Sequence, residues 1–124
     1  MSRIGVLEQF VRGEVPLRAV SWAGVEILIE GERISAENPA RIFCEPSAQD
    51  VARGFVRHQA KHEDLAKWAQ VLLAGSSFID LGRIEKDANG DLLLEGLWDA
   101  SFGEPVSENV LELVRRLAND REES

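Results

Sequence analysis

Three carboxylates spaced one helical turn apart, Asp91, Glu95 and Asp99, carry the plainest chemical consequence in this sequence. At i, i+4 and i+8 they share one face of a helix, and no Lys or Arg falls between them. Like charges at this spacing weaken an isolated helix by roughly 0.2–0.5 kcal/mol per pair. The strip is therefore an ordinary solvated face, a face paired with arginines from the first 60 residues, or a docking surface for something basic. Glu104, and Glu108 beyond it, continue the negative charge.

Other residue types capable of chemistry point nowhere as definite. His58 and His62 stand at i, i+4 with Glu63 following, but this is not the HExxH pattern and no third ligand is evident. A helix break is expected between the two, so they are read as surface histidines near a helix junction, and no metal is assigned. Ser76-Ser77 lacks the G-x-S-x-G context of an activated nucleophile, and none of the glycines forms a phosphate-cradling loop. Abundant carboxylates are not a pair with separated pKa values. No catalytic residue and no cofactor is expected. Cys44 is the single cysteine, which excludes an internal disulfide and reads as a small buried core residue. The tryptophans Trp22, Trp68 and Trp98 read as core anchors rather than as an exposed aromatic patch. At Trp68 and Trp98 the helical stripe puts them inside.

The elements that must position these residues centre on His62 to Phe102. A helix from His62 or Glu63, with Leu65, Ala66, Trp68, Ala69, Val71, Leu72 and Leu73 apolar, stops at Gly75. Phe78 to Leu81 is either strand-like or a loop plugging the core. Asp87 to Gly90 is a turn. Asp91 opens the acidic helix, with Leu92, Leu93, Leu94, Leu97 and Trp98 as its buried surface, ended by Gly103 to Pro105. Ser107 caps a last helix in which Val110, Leu111, Val114 and Leu117 recur. Upstream, Ile4, Leu7, Phe10 and Val11 mark a short first helix capped by Ser2 and stopped by Gly13. Ser47 caps another, with Asp50 in the capping-box position and Val51, Ala52, Phe55 and Val56 inward. Between these, Val25, Ile27 and Ile29 alternate with Glu26, Leu28 and Glu30, predicting a strand that turns at Glu30-Gly31-Glu32 and returns through Arg33 to Ser35. Arg41 to Cys44 is a candidate third strand. Pro16 to Ile29 is alternatively part helix.

Bulk properties bound the function. A chain of 124 residues with 44% hydrophobic content buries a core without disulfides and is expected to form one compact domain over 1–124, charged at its 119–124 end. Twenty-two acids against 14 bases give a net charge of −8. Such a field repels phosphate backbones, which disfavours nucleic acid, and attracts basic partners. Met1 to Arg12 lacks the unbroken apolar run of a signal peptide, and no segment has the ~18 apolar residues of a membrane span. A cytoplasmic protein, with no membrane association, is the simplest expectation.

Two segments carry a family resemblance: LAKWAQVLL (Leu65 to Leu73) and DLLLEGLWDASFGEPV (Asp91 to Val106). An L-x-x-W-A-x-x-L-L helix followed by an acidic helix resembles small acidic bacterial proteins, among them immunity proteins for secreted toxins. LEQFVRGEV is similar to their short first helix. The resemblance covers about half the chain, and the hairpin at Val25 to Ser35 departs from an all-helical immunity protein. It implies inhibition by occlusion, with Asp91, Glu95 and Asp99 covering a basic active site.

The expected fold is a helix-rich α+β domain of about five helices, with a small antiparallel hairpin or sheet in the first half. The expected function is non-enzymatic binding of a basic protein, of toxin-immunity type, through Asp91, Glu95, Asp99 and Glu104. The alternative is a structural module acting through homo-oligomerisation.

Overall fold

The computed structural model describes residues 3–23, 26–34, 44–74 and 78–119. Its helices are α1 (Arg3–Val11), α2 (Ala48–His58), α3 (His62–Ala74), α4 (Gly82–Glu85), α5 (Gly90–Ser101) and α6 (Glu108–Asn119). The strands β1 (Val20–Ala23), β2 (Glu26–Ile29) and β3 (Glu32–Ile34) form one antiparallel sheet in sequence order. The fold is helix-rich α+β with its small sheet in the first half, as the periodicities require.

The β2–β3 hairpin has a two-residue turn, because Ile29 pairs directly with Glu32. Glu30 and Gly31 have φ of 52° and 87°. Two left-handed residues in succession match the twist of the strands they join. Ile27 and Ile29 are buried while Glu26 and Leu28 are only half-buried, as the alternation demands. β1 is a strand that the sequence reading missed. The helical alternative for Pro16 to Ile29 reduces to a 3-10 turn at Leu17–Ala19.

Local rules set the helix ends. Ser47 Oγ accepts the Asp50 amide at 3.2 Å and the Asp50 carboxylate accepts the Ser47 amide at 3.1 Å, completing the capping box. At the end of α1, Gly13 (φ 75°) donates to Phe10 and Glu14 donates to Gln9, a Schellman stop. The expected Ser2 cap lies outside the described residues, as do Gly75, Ser76 and Ser77.

The buried residues form one contiguous apolar cluster drawn from α1, the sheet and α2 to α6. α2 packs on α6, and α3 packs on α5. Close approach is bought with glycine: a Cβ on Gly54 would lie 2.0 Å from the Val11 carbonyl oxygen and 2.4 Å from Trp68 Cζ2. Phe78 and Ile79 are buried, and Ile79 makes a parallel bridge to Cys44. The segment is thus both strand-like and core-filling. Of the candidate third strand, only Cys44 lies within the described residues.

Six helices are described where about five were expected. The addition is α4, a single turn too short to leave a periodicity. Among the described residues no helix is long and apolar enough to cross a membrane.

Candidate functional site

The acidic helix α5 begins in a turn in which Asp87 Oδ1 accepts the Asn89 amide and the Asp87 carbonyl accepts the Gly90 amide. It ends in a second Schellman motif. Gly103 (φ 74°) donates to Ala100 at 3.0 Å, and Glu104 donates to Asp99 at 2.9 Å. The backbone of Glu104 is thereby tied to that of Asp99. Two side chains of α3 fasten this end: His62 Nε2–H donates to the Gly103 carbonyl and Gln70 donates to the Ser101 carbonyl, each at 2.8 Å.

Asp91, Glu95 and Asp99 all lie on α5, with Asp91 and Glu95 exposed and Asp99 half-buried; Glu104 is exposed in the turn that follows. Among the described residues none of the four has a side-chain ion pair or hydrogen bond. Among the described residues no arginine pairs with them. Arg12 is taken by Glu14 at 3.1 Å, and Arg33 by Glu26 at 3.4 Å.

Trp98 is not in the core. It is 51% exposed and Phe102 is 70% exposed, and their rings stack at 6.0 Å with planes 23° apart. The reason lies one face away. Leu93, Gly96, Leu97 and Ala100 are the buried stripe, and a Cβ on Gly96 would lie 2.4 Å from Val110 Cγ1 of α6. α6 can approach only over small residues, so Gly96 and Ala100 turn inward and Trp98 turns out. Leu92 and Leu94 are half-buried rather than core. Trp98 follows Asp91 by seven positions and Glu95 by three, so the indole rises among the carboxylates. Phe102 was not singled out from the sequence. The Gly96/Ala100 pair is the signal that fixes which face of α5 is buried.

The other two tryptophans are inside or nearly so. Trp68 is fully buried, and half-buried Trp22 donates its indole N–H to the Val71 carbonyl at 3.4 Å.

His58 ends α2 and His62 starts α3, so the histidines sit on separate helices and cannot act as an i, i+4 pair. His62 is exposed, as expected of a junction residue, but His58 is half-buried with its ring 5.8 Å from that of Trp68. Its Nε2 is buried and has no hydrogen-bond partner among the described residues. Burial lowers the His58 pKa below its usual 6.5, Asp64 opposing the shift and Arg57 adding to it. Cys44 is a buried free thiol whose pKa is pushed up to about 12, mainly by burial and further by Glu8 and Asp50. Among the described residues no three His, Cys, Asp or Glu side chains gather as metal ligands.

A groove of about 260 Å³ opens beside Trp98, between α3, α4 and α5. No protein-family model, curated protein or solved structure matches the chain, so the chemistry of α5 and its neighbours alone carries a functional reading.

Proposed function

We propose that this chain is a non-enzymatic protein-binding domain that docks a basic partner surface on the exposed face of α5. The observation that carries the reading is the stacked Trp98–Phe102 pair standing in solvent among Asp91, Glu95 and Asp99. Large aromatic rings are among the residues that dominate binding energy when a partner desolvates them. Unpaired carboxylates around them select a cationic partner and speed its approach. In its narrower form the reading is an immunity-type inhibitor that occludes a toxin's basic surface without performing chemistry. Self-assembly through the same rings is the competing reading, and it is disfavoured by electrostatics. Two copies apposed on α5 would set each acidic strip near its like.

The test is capture on immobilised protein at low and high salt, beside an immobilised Asp91→Lys/Glu95→Lys variant. A basic protein held at low salt, released at high salt and ignored by the folded variant is the expected outcome. Exposed charges farther apart than about 8–10 Å are largely screened near 0.1–0.15 M salt, so the release should be graded. Equal retention by the variant would sink the docking reading. A salt-resistant oligomer with no partner would favour self-assembly.

A further inference from the structure

We infer that the groove between α3, α4 and α5 receives an apolar side chain of a basic amphipathic helix, an inference that rests on the docking reading and names the shape of the docked element. The groove walls include Leu73 of α3, Leu81 just before α4, and Leu94 and Trp98 of α5. The three leucines are half-buried and Trp98 is half-exposed, so each leaves apolar surface facing the opening. Asp80 and Glu85 stand on the lining as well. Asp80 is held in place, its Oδ1 accepting the Gly82 amide at 2.8 Å.

The surroundings specify charge. From Asp80 to Asp99 the sequence carries six acids against two bases, Arg83 and Lys86. Arg83 is directed to the Glu45 carbonyl at 3.1 Å, and Lys86 follows α4 at its C-terminal cap. An apolar slot in such a field fits an apolar side chain carried on a cationic element. The layout specifies shape. Leu94, Trp98 and Phe102 follow one another at four-residue steps, a ridge of apolar surface roughly 12 Å long at ~1.5 Å per residue. That length matches two turns of a helix laying its apolar i, i+4, i+7 face along a groove.

The test uses three synthetic probes against the whole protein, read by peptide fluorescence anisotropy. They are a Leu–Lys peptide patterned as an amphipathic helix, an isomer of the same composition with the pattern broken, and oligolysine. The patterned peptide should bind about tenfold or more tighter than its isomer and shift the Trp98 indole N–H resonance. Leu94→Asp should remove that advantage, while oligolysine, drawn by the added carboxylate, should bind at least as tightly as before. Should Leu94→Asp fail to fold, Trp98→Ala, at an exposed position, decides the same point. Equal binding of patterned and broken peptides, with both variants silent, overturns the groove inference and leaves the charge-based docking reading standing. Absence of binding by all three probes overturns both. A dimer of the free protein that the patterned peptide dissociates would assign the groove to a second copy and overturn the inference.

Discussion

Trp68 of α3 donates its indole N–H to the carbonyl of Phe10 across 3.1 Å, joining two helices through the centre of the core. The same carbonyl accepts the Gly13 amide that closes the Schellman stop of α1. Phe55 meets the indole edge-on at 5.9 Å. Trp68→Phe removes one hydrogen bond and leaves a partial cavity, but the Phe10 carbonyl keeps its second donor. The loss should be about 2 kcal/mol, between a bare hydrogen-bond deletion and a full aromatic truncation. Urea denaturation with an unchanged m value checks it.

Glu95→Lys should make the fold more stable while weakening partner binding. Glu95 has a like charge one turn away on each side, and a lysine there converts both repulsions into attractions. The gain should be roughly 0.5–1 kcal/mol at low salt and shrink as salt rises. Thermal melts at two ionic strengths read it. A drop in stability at low salt would mean that the strip is compensated after all.

His58 should make stability fall as pH falls through the region just below 6.5. Its folded pKa is depressed by burial, so the unfolded chain takes up the proton first. Above the unfolded value both states are neutral and the residue contributes no pH dependence. Below it, protonation favours unfolding until the lower, folded pKa is passed. His58→Gln should flatten the stability profile between pH 7 and about 5.5, above the range where carboxylates titrate.

Cys44 should be inert in the folded protein. Thiol reagents attack the thiolate, and a pKa near 12 in a buried site leaves almost none of it at pH 8. Labelling should therefore track unfolding, with a rate that rises with urea. Rapid modification in native buffer would contradict the buried bridge to Ile79.

Local chemistry made much of the architecture legible. Ser47 and Asp50 announced their capping box, Gly13 and Gly103 their helix stops, and the alternation around Ile27 and Ile29 its strand. Each of these depends on neighbours within a few residues. What escaped depends on distant ones. The outward turn of Trp98 is decided by Val110 of α6 pressing on Gly96, which no window around Trp98 contains. Ile79 finds its bridge partner Cys44 across 35 positions of sequence. β1 is only four residues long, without enough alternation to declare itself. The acidic residues were legible as a strip, whereas the aromatic half of the candidate site had only the small pair Gly96/Ala100 as a local sign, its exposure being settled by helix packing.

The two side-chain bonds from His62 and Gln70 to the Gly103 and Ser101 carbonyls, at and just past the end of α5, have a kinetic meaning. They hold the end of the helix that bears Trp98 and Phe102 before any partner arrives, so little ordering is left to occur on association. On the proposed docking reading, capture at a face prepared in this way would proceed at a rate governed by long-range attraction, and differences among partners would emerge in how long each complex lasts. On that reading, loosening His62 would shorten the lifetimes of such complexes without altering a residue of the proposed docking face.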